Sequence, residues 1–241
     1  MERQRIVPYV DINVLNWWYC TYNIDSKINI ISYIYNMGIE LGPEYYDSVF
    51  STSKNYEKKP KDSIYYNLWK CILDEIHKIN PTFIVDIGCG PGHMEEMIAE
   101  EPNSNLKKCI GYDFSSVAIN KCIAKLSNDN KFLFKIADMT KINLLEDLRS
   151  HHVKLDNTLF ISLEFIEHIT EDLKIIEQVP KNNTFLFSVP SYDSKGHVRF
   201  FSDVEQVYAR YSNLLNFINV NIMKTSDKGT NVIYICLCRR K

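Results

Sequence analysis

The chain has 241 residues, of which 45% are hydrophobic and 24% charged, so it can bury one large core with an extension beside it. Its net charge of −2 supplies no basic field to draw it to nucleic acid, and Lys58-Lys59-Pro60-Lys61 and Arg239-Arg240-Lys241 read as short solvated clusters. Seven cysteines, an odd number, lack metal-site spacing, no leader opens the chain and no apolar run is long enough to span a membrane; a reduced, cytoplasmic, soluble protein is expected.

In chain order, residues 1–61 stand apart from the rest of the chain. They are rich in aromatics, among them Trp17, Trp18, Tyr19, Tyr22, Tyr33, Tyr35, Tyr45 and Tyr46. One or two helices are expected near 11–20 and 26–37, before a break at Gly42-Pro43. This helical extension is either a packing element at one edge of the core, a lid that excludes water from a site, or a dimer surface. Residues 62–241 form the second region. Ile64, Leu68, Ile72 and Ile76 recur every four residues, which predicts an amphipathic helix over 63–79 with Asp62 as its N-cap. Pro81 ends it. Strands are then expected near 82–87, 108–113, 131–136, 157–161 and 183–189, and helices near 92–100, 115–126, 171–178 and 203–215. Such alternation predicts a parallel sheet with helices on both faces. The apolar runs 217–224 and 231–238 are separated only by turn residues, so they form a terminal hairpin.

The first strand runs straight into Val85-Asp86-Ile87-Gly88-Cys89-Gly90-Pro91-Gly92, three of the chain's eight glycines within five residues. Glycine is required where backbone takes positive φ or approaches a ligand closely. The helix after the loop aims its first N–H groups at the same place. Lys108–Asp113 is a second strand ending in an acid, and Ile136-Ala137-Asp138-Met139 a third. Together these resemble the class I S-adenosylmethionine (SAM)-dependent methyltransferases, over roughly residues 80–240. The resemblance implies an α/β, Rossmann-like sheet of seven mostly parallel strands with an antiparallel final strand, SAM as cofactor and S-adenosylhomocysteine as product. It places Asp86, Gly88, Cys89, Gly90 and Gly92 around the methionine part of SAM, and Asp113 with Phe114 at the ribose. Asp138 would lie at the adenine amino group and Met139 on the ring. Cys89 fills the loop and is no nucleophile. Asp113 could instead serve as a helix N-terminal acid, and Asp138 as a turn acid. The segment around Tyr46 and Tyr56 is similar to one that lies over bound SAM in small-molecule methyltransferases.

Methyl transfer from a sulfonium is an in-line displacement that also needs the acceptor's proton removed. After the fourth strand, Ser162–Ile169 contains Glu164-Phe165-Ile166-Glu167-His168-Ile169, which resembles the E-x-x-E-H-I segment of small-molecule members. Glu164 would sit beside the methionine end of SAM. His168 is a candidate base or a loop-fixing histidine, and Glu167 faces solvent or orients it. After the fifth strand, Gly196-His197-Val198-Arg199-Phe200-Phe201-Ser202 is similar to methyltransferases of bacterial glycan and natural-product clusters. His197 is the second base candidate. Arg199 binds an anionic acceptor or pins the loop, and Asp203 caps the next helix. His93 lines the cofactor loop; His77, His151 and His152 lie at the surface. No metal site is expected from spacing, although Mg²⁺ held by carboxylates from distant segments would leave no such signature. The expected acceptor is a small molecule, foremost a sugar or sugar-nucleotide hydroxyl of surface-glycan biosynthesis. A natural product or quinone-like compound and a non-catalytic SAM-binding subunit are the alternatives. Nucleic acid and membrane partners are not expected; a monomer or homodimer is.

Overall fold

The computed structural model describes residues 38–101, 104–226 and 228–241. The helices expected near 11–20 and 26–37, and the aromatics Trp17 to Tyr35, lie outside the described residues. Seven strands form one sheet: β1 (Phe83–Ile87), β2 (Lys108–Asp113), β3 (Phe132–Ile136), β4 (Thr158–Leu163), β5 (Thr184–Pro190), β6 (Leu215–Lys224) and β7 (Val232–Arg240). Their order is β3-β2-β1-β4-β5-β7-β6. β1 pairs in parallel with β2 and β4, β2 with β3, and β4 with β5. β7 runs antiparallel to both β5 and β6. The mostly parallel seven-stranded sheet and its antiparallel terminal hairpin are as expected. The chain reverses from β1 toward β2 on one side and β4 on the other, so the β1 and β4 ends border the crevice where an open α/β sheet binds ligands.

Among the described residues, seven α-helices flank these strands: α1 (Pro43–Thr52), α2 (Tyr66–Ile79), α3 (His93–Glu100), α4 (Ser116–Leu126), α5 (Leu144–Ser150), α6 (Asp172–Gln178) and α7 (Val204–Tyr211). Alternation along each strand fills two cores. Val85, Ile87, Ile110, Tyr112 and Phe160 pack against Leu144, Leu148, Ile175, Ile176, Val207 and Tyr211 on one face. Ile84, Cys109, Leu159 and Ile161 pack against Leu68, Ile72, Met94 and Met97 on the other.

Several local expectations are corrected. Asp62 does not cap α2; it closes a 3₁₀ turn that begins at Pro60, and the helix starts at Tyr66 with no side-chain cap. Ile64 therefore precedes the helix, and it is 72% exposed although it fits the four-residue period. α2 ends on Asn80 in the left-handed region, just before Pro81. α5 is an addition to the expected helices: Asn143 caps it by accepting from the Glu146 N–H, and Leu144 and Leu148 bury one face. α7 stops at Tyr211, and β6 begins at Leu215. Asp203 does cap α7, accepting from the Gln206 N–H at 2.9 Å.

Candidate functional site

One end of the candidate site is built at β1, β2 and β3. Gly88, Gly90 and Gly92 all take positive φ, which turns the chain sharply from β1 into α3. At Gly88 the requirement is doubled, because a Cβ would stand 2.3 Å from the Phe165 ring. Asp113 is 5% exposed at the end of β2. Its carboxylate accepts from the Gly90 N–H at 2.9 Å and the Ser115 N–H at 2.8 Å, so it braces the glycine loop and opens α4 at once. Burial pushes its pKa up to about 6, against the pull of those two donors.

A cavity of about 360 Å³ lies beside it, lined by Asp113, Phe114, Ala137, Asp138, Met139, Phe165 and residues 40–43 among others. Four residues expected at the nucleoside thus border one space. Asp138 is also engaged locally: it accepts from the Thr140 N–H and hydroxyl and pairs with Lys141 at 2.7 Å. Asp86, 2% exposed, does not line the cavity but faces Glu95 of α3. Burial, with Glu95 adding to it, holds the Asp86 carboxyl well above the usual range, and burial raises Glu95 to about 7. Glu95, buried on α3, carries no motif that marks it in the sequence. Cys89 is 8% exposed and packs with Ile119 and Cys122, as a loop filler should.

Tyr56 packs on Phe50 and His93, with ring centroids 4.9 and 6.3 Å away. His93 is buried, stacks on Trp69 at 4.8 Å, and places Nε2 3.1 Å from the Lys58 carbonyl.

The other end of the candidate site is built from the loops after β4 and β5. Glu164 takes a positive φ of 50°, a strained value for a side chain other than glycine. Ser188 on β5 clamps it, accepting from the Glu164 N–H and donating to its carboxylate, each at 2.9 Å. Burial pushes Glu164 up to about 7, with Ser188 pulling the other way. A 3₁₀ turn over Ile166–His168 comes next. Glu167 is fully buried there, not solvent-facing, and neither carboxylate oxygen has a hydrogen-bond partner among the described residues. Burial, reinforced by Glu164, raises its pKa well above the carboxylate range. The expectation that it faces water fails because Arg199 draws the loop inward. That guanidinium donates to the carbonyls of Ile166, Ile169 and Thr170 and lies 3.3 Å from Asp172. Arg199 is thus the pin of this loop.

His168 and His197 meet at ring centroids 4.6 Å apart. The Nδ1 of His168 lies 3.0 Å from the Gly196 carbonyl, and that of His197 lies 3.2 Å from the Tyr192 carbonyl. A carbonyl only accepts, so each Nδ1 carries its proton and each Nε2 keeps a lone pair. Glu167, His168 and His197 bring one ligating atom each to within 4.8 Å of the others. This trio arises from two loops about thirty residues apart in sequence, so no spacing motif announces it. Burial, with His197 adding to it, lowers the His168 pKa to about 4. Burial lowers that of His197 as well.

The comparisons with known proteins agree with this geometry. A family model described as a methyltransferase domain matches residues 81–231. The N-methyltransferase NodS from Bradyrhizobium japonicum WM9, solved with S-adenosylhomocysteine, is 12% identical with a TM-score of 0.60, over 82% of this chain and 97% of that one. The small RNA methyltransferase HEN1 is 18% identical with a TM-score of 0.56, over 73% of this chain and 25% of that one. The [4+2]-cyclase SpnF is 10% identical with a TM-score of 0.57, over 84% and 98%. At these identities the likeness is one of fold. No curated protein matched the sequence.

Proposed function

We propose, from the premise that this chain belongs to the methyltransferase-domain family and is a SAM-dependent methyltransferase, that it methylates a hydroxyl of a sugar-type acceptor. In this reading the acceptor is activated at a divalent cation held by Glu167, His168 and His197. The observation that carries it is the convergence of those three side chains, with both Nδ1 atoms turned to carbonyls and both Nε2 lone pairs left over. Histidine ligands are oriented by such outer hydrogen bonds.

The residues fit a cation. A fully buried carboxylate with no partner is costly, and positive charge beside it removes that cost. The alternative, that His168 acts as a free general base, fits less well, since a pKa of about 4 is far from neutral pH. When bound, the cation lowers the pKa of a coordinated hydroxyl. Glu167, His168 and His197 would hold the cation from the protein side, and two neighbouring hydroxyls are a natural chelating pair for such an ion, which is why a sugar diol suits the site. Glu164, strained and clamped by Ser188, borders the same region. SAM supplies the sulfonium methyl. The chain's own groups bind and orient it: Asp113 and Phe114 at the ribose, Asp138 and Met139 at the adenine, and the glycine loop at the methionine part, while Asp86, buried against Glu95, does not line the cavity. A surface-glycan acceptor is our choice among sugar classes, on the similarity of the Gly196–Ser202 segment. Residues 1–61 are taken as a helical extension and 62–241 as the catalytic domain.

The test is S-adenosylhomocysteine release across nucleotide-sugars, sugar phosphates, simple phenols and an RNA oligonucleotide with a terminal ribose diol. RNA is included because HEN1 is named for it. Turnover confined to diols supports the reading, and the class that turns over names the acceptor. Turnover of phenols alone contradicts it.

A further inference from the structure

Two consecutive residues of α1 reach opposite ends of the site. Asp47 caps α4 from another helix: its carboxylate accepts from the Ser115 hydroxyl at 2.5 Å, the Val117 N–H at 3.2 Å and the Ser116 hydroxyl at 3.3 Å. Ser115 is the residue whose N–H is held by Asp113. Tyr46 turns the other way. Its hydroxyl lies 2.9 Å from Nδ1 of His168, and its ring packs edge-on against that imidazole at 5.7 Å. It also meets Phe114, at 5.4 Å. Gly196 has φ of 90°, and a Cβ there would stand 2.8 Å from the Tyr46 oxygen, so the loop after β5 is shaped around that hydroxyl. Cofactor contact is the role expected of Tyr46 from sequence; its ring meets Phe114 while its hydroxyl reaches His168.

We infer that α1 couples the two ends of the site, with Tyr46 a positioning residue for His168 and Asp47 the anchor that places it beside the ribose-binding carboxylate. This rests on the reading of His168 as a ligand through Nε2. The contacts form a continuous chain: Asp113 to Ser115, Ser115 to Asp47, Asp47 to its neighbour Tyr46, and Tyr46 to His168. A ligand engaging Asp113 bears on Ser115 and hence on the seat of α1. With α1 seated, Nδ1–H of His168 is bracketed by the Gly196 carbonyl and the Tyr46 oxygen, and Nε2 is aimed toward Glu167, 3.8 Å away. With α1 unseated, one of the two partners that fix the ring is gone. Such coupling is reciprocal, so occupancy of either end tightens the other by the same factor.

The experiment measures Mn²⁺ affinity of the full chain by electron paramagnetic resonance, with and without saturating adenosine, which fills the Asp113 end without reaching His168. Wild type should bind Mn²⁺ about 5–10-fold more tightly with adenosine present. Tyr46→Phe and Asp47→Asn should each reduce that ratio to about one while still binding Mn²⁺. An unchanged ratio in both variants, or a ratio of one in the wild type, overturns the coupling. If no Mn²⁺ binds under any condition, the cation reading fails, and the ¹⁵N resonances of the His168 ring take over as the readout. They should respond to adenosine in the wild type and not in either variant; the same response in all three, or none in the wild type, overturns the inference.

Discussion

The donor and acceptor ends of this site lie along the same edge of the same sheet, yet they are made differently. The donor end is a set of contiguous strand-loop-helix turns, each carrying its own functional residue: Gly88–Gly92 after β1, Asp113 after β2, Asp138 after β3. The acceptor end is made between loops. Glu167 and His168 come from one and His197 from another, and Arg199 holds the two together through three carbonyls. In the first, each functional residue sits in its own turn and the turns are then braced to one another, as Asp113 braces Gly90; in the second, the functional residues meet only through the crossing of two loops.

That contrast can be broken from either side. The largest effect is expected at Glu167→Gln, which keeps the shape and removes the charge. Turnover should fall by about 10²–10⁴-fold while S-adenosylhomocysteine affinity, measured by calorimetry with no divalent cation present, stays within about twofold of wild type. Asp113→Ala should do the reverse. Loss of charged hydrogen bonds to the ribose weakens S-adenosylhomocysteine on the order of 10²-fold. Unchanged affinity would remove Asp113 from the cofactor site.

Glu95 gives an intermediate effect, on stability. Its folded pKa, about 7, lies above its ordinary value of 4.5, so the folded state holds the proton more tightly than the unfolded chain. That stabilisation is complete below about pH 4.5 and is lost as pH rises through about 7. Glu95→Gln cannot ionise and can donate to Asp86. It should exceed wild type by about 2 kcal/mol in unfolding free energy at about pH 8, and match it near pH 4.5. Denaturant melts at the two pH values check this. The smallest effect is at Asp203→Ala, loss of the α7 cap, which should cost about 1 kcal/mol and leave ligand binding alone.

The same contrast explains what can be read from sequence. The parallel sheet with its terminal hairpin is legible from the alternation of apolar runs, and the gathering of Asp113, Phe114, Asp138 and Met139 around one cavity is legible because glycines, strand and acid lie within a few positions of one another. His168 and His197 stand out one at a time, but their meeting is not visible, since it depends on the crossing of two loops. Of the two readings of Glu167, toward solvent or toward His168, sequence alone cannot choose; the structure buries it 3.8 Å from His168 Nε2, and nothing near it in sequence shows the contacts of Arg199 that hold this loop. Asp62 and Ile64 mislead for another reason: the residues suit a helix, but the turn begun by Pro60 delays its start to Tyr66. α5 (Leu144–Ser150) escapes the sequence reading, though Asn143 with Glu146 three positions on is a recognisable start.

The most direct test of the account is turnover by the full chain on its best diol acceptor, before and after exhaustive chelation, and again after Mn²⁺ or Mg²⁺ is restored. The account predicts that chelation abolishes S-adenosylhomocysteine formation, that the added cation restores it, and that Glu167→Gln is not rescued. Equal turnover with and without chelator would contradict it and return His168 or His197 to the role of a free base.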